Sequence, residues 1–176
     1  FICFFRAAPG IVRHTDYGRL RIGSWPKDDG RSKTLLIRDI FIKGGVNCEI
    51  SDDIVRTRWE KLIWNIPFNP LSAITGADTA VILGRDSSLN LVRNIMLEVK
   101  SIAEKEGYKI DPGLIDKYLA DTLQMRPYKT SMLMDMENRR PIEREALLGA
   151  VLEKAKAHNI RAPYTEIMNE ILAMGL

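Results

Sequence analysis

The chain has 176 residues, 45 % of them hydrophobic and 28 % charged, with a formal net charge of +3. That balance supplies apolar mass for one buried core, or one and a fraction, and excludes a disordered acidic or basic tail. Apolar runs such as Leu62-Ile63-Trp64 stop far short of the ~20 residues that a bilayer-spanning helix requires, which excludes such a span.

The chain opens on Phe1 inside the apolar run Phe1-Ile-Cys-Phe-Phe5, which predicts a buried strand and reads as a piece of something longer. No basic stretch precedes the run, so a signal peptide is unsupported. Ile11-Val12 and Leu20-Arg21-Ile22 flank Asp16-Tyr17-Gly18, and this spacing predicts a hairpin turning at the glycine. The polar segment Pro26-Lys-Asp-Asp-Gly30 is the natural boundary, separating terminal strands in residues 1–32 from a helical domain in residues 33–176.

Beyond that boundary the period changes to 3.6. Leu36, Ile37, Ile40 and Phe41 mark a helix ended by Gly44-Gly45, and Val46 to Ile50 reads as one more strand. Ser51-Asp52-Asp53 offers an N-cap to a long apolar helix. Val92, Ile95, Met96, Val99, Ile102 and Ala103 line another helix, preceded by Asp86-Ser87 and closed by Gly107. Asp111-Pro112 opens a helix with Ile115, Tyr118, Leu119 and Thr122 on one face. Pro141 opens a helix with Ala146, Leu147, Ala150, Val151 and Ala155 inward, and Pro163 opens a last one with Ile167, Met168, Ile171 and Leu172. The fold class is therefore mainly α: five to seven helices behind a β portion too small to stand as a sheet of its own.

Two isolated cysteines, Cys3 and Cys48, favour a reduced, cytoplasmic setting. His14 and His158 have no metal-ligand partner at helical spacing, so no metal is expected. Residues 1–50 hold nine basic and five acidic residues, a net of +4. That is a solvated surface rather than the dense basic stripe with interleaved aromatics of a nucleic-acid face.

The long helix over Trp59 to Ile74 is inverted. Its polar residues after Glu60, namely Lys61, Asn65, Asn69 and Ser72, fall within about 80° of arc at ~100° per residue, while the other positions are apolar. Such a helix belongs in a core, and its polar stripe must meet polar groups because unpaired buried amides and ammonium groups are costly. Pro67 and Pro70 deprive the Ile63 and Ile66 carbonyls of their usual donors, so a kink or break is expected there. One buried Asn reads as a satisfied core residue. A Lys with two Asn in register reads as the wall of a cleft for a small polar ligand, where desolvation would ready the lysine to exchange a proton.

Lys61-Leu-x-x-Asn65-x-x-x-Asn69-Pro-Leu-Ser-Ala-Ile74 closely resembles the signature of the C-terminal domain of the 2-dehydropantoate 2-reductase (ketopantoate reductase) family. Three further blocks agree: Ser131-Met-Leu-x-Asp135 with Arg140-Pro-Ile-Glu143 and Gly149; Asn159-Ile-x-Ala-Pro163; and Pro9-Gly10-x-x-x-His14 with Gly18-x-Leu20-x-Ile22-Gly23. The resemblance implies a multi-helix domain of the 6-phosphogluconate-dehydrogenase-like type, preceded by strands that complete a Rossmann sheet. It implies reduction of ketopantoate to pantoate by NADPH, in pantothenate and coenzyme A biosynthesis. It also implies Lys61 as general acid, Asn65, Asn69 and Ser131 on the substrate, and Glu143 where nicotinamide, substrate and Lys61 meet.

The family often has a further Asn in the loop after the long helix, where this sequence has Asp78-Thr79. No G-x-G-x-x-G occurs, so a dinucleotide fingerprint is expected upstream of Phe1 and the 176 residues alone are expected to be inactive. Taken without the resemblance, Ser131 reads as a helix N-cap, Glu143 as a favourable first-turn acid, and Asp135, Arg139 and Arg140 as structural or surface residues. The methionines Met132, Met134 and Met136 suggest core or interface packing and a homodimer. Two alternatives remain open: a sibling reductase for another branched 2-oxo acid, and a helical dimerisation module without catalytic role.

Overall fold

The computed structural model describes residues 2–26 and 31–175. Phe1 and most of the polar boundary segment, residues 27–30, lie outside the described residues, as do the side chains of residues 2–7 and 14–17, His14 among them. The chain forms two compact units, Phe1–Thr57 and Arg58–Leu176.

In the first unit, β1 (Ile2–Ala8) pairs antiparallel with β2 (Ile11–Tyr17), Ala8 opposite Ile11 and Ile2 opposite Tyr17. The hairpin therefore turns at Pro9-Gly10, not at Gly18. Proline presets the first turn position, and Gly10 supplies the positive φ of 75° that the next one needs. β3 (Arg19–Ile22) instead pairs parallel with β4 (Asn47–Ile50) through α1 (Arg31–Lys43), a β–α–β unit. Cys48 on β4 is buried. The helix over α1 follows the predicted period, yet Leu36, Ile37, Ile40, Phe41 and Ile42 are 37–63 % exposed and only Thr34 is buried.

Asp53 caps α2 (Ile54–Thr75) as expected, its Oδ1 accepting the Arg56 N–H at 3.0 Å. The helix runs unbroken through Pro67 and Pro70. Each internal proline costs ~3 kcal/mol, which is offset by burial: Ile63, Ile66 and Phe68 have no exposed surface.

The second unit is helical: α3 (Thr79–Leu83), α4 (Asp86–Lys105), α5 (Leu114–Gln124), α6 (Ser131–Glu137), α7 (Ala150–Ala157) and α8 (Pro163–Ala173), with a wide π-helical turn at Glu145–Gly149 before α7. The predicted face of α4 is the core: Val92, Ile95, Met96, Val99, Ile102 and Ala103 are at most 1 % exposed. Trp64 of α2 stacks on Phe68 at 4.7 Å and donates its Nε1–H to Thr122 of α5 at 3.0 Å. The Glu98 carboxylate of α4 accepts the N–H groups of Tyr164 and Thr165 and the Thr165 hydroxyl, so α8 takes its cap from another helix.

Two predicted faces need correction. Before and within α7, Ala146 and Ala150 are exposed and Leu148 is fully buried; in α8, Ile167 is exposed. An alanine has little area to drive its own burial, so larger neighbours decide which side turns inward. No helix among the described residues is long and apolar enough to cross a membrane.

Candidate active site

The polar stripe of α2 is divided by the fold. Lys61 is exposed, Asn65 half-buried, and Asn69 and Ser72 buried at 6 % and 0 % exposure. Lys61 is thus not the desolvated lysine expected from the sequence, because the stripe leaves the packed face of α2 toward its N-terminal end. Ser72 serves the backbone: its hydroxyl donates to the Ala77 carbonyl at 2.6 Å, just past the helix end.

Asn69 differs. It is 94 % buried, and among the described residues its amide has no hydrogen-bond partner. It opens into a cleft lined by Asn69, Ser131, Met132, Asp135, Glu143 and Leu147, with about 170 Å³ of space, part of it open to solvent. The amide atoms themselves face the open space of the cleft, where they are available to a ligand.

Ser131 reaches this cleft from the first position of α6. It is not the cap of that helix. Thr130 is, its hydroxyl accepting the Leu133 N–H at 3.3 Å, so the exposed Ser131 hydroxyl is not spent on the backbone. Glu143 reaches the cleft from the non-helical residues just before the π-helical turn, and its carboxylate is exposed. Ser131 is therefore not explained by a helix-end role, whereas Glu143 does flank a helix start, its backbone carbonyl accepting the Leu147 N–H at 3.1 Å.

Three of the five sequence candidates, Asn69, Ser131 and Glu143, are thus brought together from three segments far apart in sequence. Asn65 and Lys61 stand outside the lining, one and two turns nearer the start of α2. At 1.5 Å per residue, Lys61 lies ~12 Å from Asn69 along the helix axis. The cleft adds Asp135, which the sequence reads as a structural or surface residue. Its Oδ1 pairs with Arg140 Nε at 3.1 Å.

Asp78 and Thr79, where the sequence departs from the family pattern, have structural work. Asp78 caps α3 through the Val81 N–H at 2.9 Å, and buried Thr79 exchanges hydrogen bonds with the Tyr128 backbone.

An amide, a hydroxyl and two carboxylates line this small, partly apolar cleft of a helical domain. Comparison with known proteins makes this particular. Residues 53–175 match the family described as ketopantoate reductase PanE/ApbA C terminal, and the chain belongs to that family. A protein of Nostoc sp. named 2-dehydropantoate 2-reductase is 33 % identical over 167 residues, covering 93 % of this chain and 52 % of that protein. The crystal structure of 2-dehydropantoate 2-reductase from Geobacter metallireducens is similar over 100 % of this chain and 59 % of that one, with 38 % identity and a TM-score of 0.95. A ternary structure of D-mandelate dehydrogenase with NADH shares the fold alone, at 20 % identity and a TM-score of 0.88 over 98 % of this chain and 57 % of that one. The chain spans about half the length of the curated relatives it matches.

Proposed function

We propose that the chain is the substrate-binding part of an NADPH-dependent ketopantoate reductase, converting 2-dehydropantoate to (R)-pantoate on the route to pantothenate and coenzyme A. The observation that carries this reading is the meeting of Asn69, Ser131 and Glu143 in one cleft of a chain from that family. The cleft is too small for a dinucleotide, and the sequence holds no glycine-rich phosphate fingerprint. Asn69 and Ser131 are therefore assigned to the substrate, and Glu143 to the place where substrate and nicotinamide would meet. NADPH, held mainly by a nucleotide-binding domain whose sheet residues 1–32 would complete, supplies the hydride. Residues 33–176 would then form the substrate-binding and dimerisation domain of a cytoplasmic homodimer.

The residues of this chain would divide the remaining work. The Asn69 amide and, a turn away, that of Asn65 hydrogen-bond the hydroxyl and carboxylate region of the substrate. The Ser131 hydroxyl donates to the carboxylate. Lys61 Nζ, long and exposed, presents a proton to the carbonyl oxygen as negative charge develops on it. The Glu143 carboxylate orients that ammonium group beside the nicotinamide.

The test is an assay of the full-length protein with ketopantoate and NADPH. Lys61→Ala should lower kcat ~10²-fold or more, as loss of a positioned acid does. An unchanged kcat would remove the general-acid role. The 176-residue chain alone should turn over no substrate and should bind NADPH more weakly than micromolar. Micromolar binding would contradict the placement of the cofactor on another domain.

A further inference from the structure

The block around Glu143 contains three residues that the roles above leave unused: Arg140, Arg144 and Gly149. Glu143 ends a short non-helical strap, Pro141-Ile142-Glu143, and only its backbone carbonyl is tied to the following helix, accepting the Leu147 N–H at 3.1 Å. An exposed carboxylate on such a strap would sample many positions, and a catalytic site needs one.

Both ends of the strap are clasped by arginine. At its front, the Arg140 backbone N–H donates to the Asp135 carbonyl at 2.8 Å and its Nε pairs with Asp135 Oδ1 at 3.1 Å. Asp135 is itself part of the cleft wall. At its back, Arg144 Nη1 donates to Asn169 Oδ1 of α8 at 2.8 Å, while Nη2 pairs with the Glu145 carboxylate. That carboxylate lies where a side chain at position 149 would begin, so a Cβ on Gly149 would displace it. The guanidinium forks matter here, since one ammonium group could not reach Asn169 and Glu145 in the same planar geometry.

We infer that Arg140 and Arg144 are positioning residues that hold Glu143 in the cleft beside Asn69 and Ser131, with Gly149 leaving room for the Glu145 carboxylate that orients Arg144. The inference deepens the proposed function and rests on it. Both clasps are partly solvent-exposed ion pairs, which add little to global stability. Their effect belongs in the geometry of Glu143.

The experiment uses the full-length reductase and compares Arg140→Gln, Arg144→Gln, the milder Gly149→Ala, and Glu143→Gln alone and combined with each arginine variant. Each arginine variant should lower kcat roughly tenfold to a hundredfold, as a catalytic group misplaced by an ångström does. It should do so with little change in thermal midpoint and no further loss in the Glu143→Gln background. Hydrogen exchange at the Ile142 and Glu143 amides should quicken in all three clasp variants. Arg144→Lys should recover only part of the loss. Equal losses with and without the Glu143 carboxylate, or unchanged exchange over the strap, would overturn the inference while leaving the site intact. If Glu143→Gln leaves activity unchanged, the role given to Glu143 is what fails. The exchange measurement then still decides whether the clasps hold the strap.

Discussion

Asn69 and Ser72 are both buried polar residues on one face of α2, and only their partners separate them. Ser72 closes on the backbone at Ala77, whereas the Asn69 amide turns to the cleft without a protein partner among the described residues. The same accounting separates Thr130, which caps α6, from Ser131, which does not. Arg139 is the strained residue of this region. It closes α6 with φ at 54°, the left-handed conformation in which glycine usually ends a helix. A non-glycine residue there costs ~1–2 kcal/mol, part of which a glycine returns through the greater freedom of the unfolded chain. Arg139→Gly should therefore stabilise the protein by about 0.5–1 kcal/mol. Calorimetry should show this as a rise of roughly 2 °C in Tm. A fall in Tm would show that the arginine side chain makes a contact worth more than the strain.

Between elements, long-range caps and pairs fix how the helices of the second unit pack. Glu98 anchors the start of α8 to α4, and Glu106 joins the end of α4 to the end of α7. Glu106 Oε1 lies 2.7 Å from His158 Nε2, and Oε2 lies 3.2 Å from Lys154 Nζ. The His158 hydrogen bond chiefly, with Lys154 adding to it against the opposing effect of burial, holds the Glu106 carboxyl below the usual carboxylate range. A carboxyl with a lowered folded pKa contributes stability above its unfolded pKa, and that contribution is lost as pH falls through the folded value. Glu106→Gln should lower stability near neutral pH by about 1 kcal/mol or less. The gap to the unmodified protein should close below the ordinary glutamate range. Thermal melts over a pH series measure it, and a gap that widens in acid would refute the pairing. At this scale the sequence was legible where one face repeats: the α4 stripe and the Asp53 cap follow from spacing alone. It was not legible where partners are distant, as with Glu98 capping α8 across 66 residues.

At the scale of the whole molecule, α1 leaves Leu36, Ile37, Ile40, Phe41 and Ile42 largely uncovered, an apolar face of the kind that marks an interaction surface. The proposed nucleotide-binding domain would cover it. Leu36→Glu with Ile40→Lys should then reduce self-association of the 176-residue chain, read by light scattering, and should destabilise the full-length protein. No change in either would mean that the face needs no cover. The sequence by itself determined the mainly helical class, the core of α4 and the family, through residue types at fixed spacing that report local periodicity and local chemistry. Only the tertiary structure decided that the first hairpin turns at Pro9-Gly10, that α2 crosses two prolines unbroken, and that Asn69, Ser131 and Glu143 share a cleft while Lys61 stands exposed. The physical reason is that burial and hydrogen-bond satisfaction depend on partners distant in sequence, which no local pattern encodes.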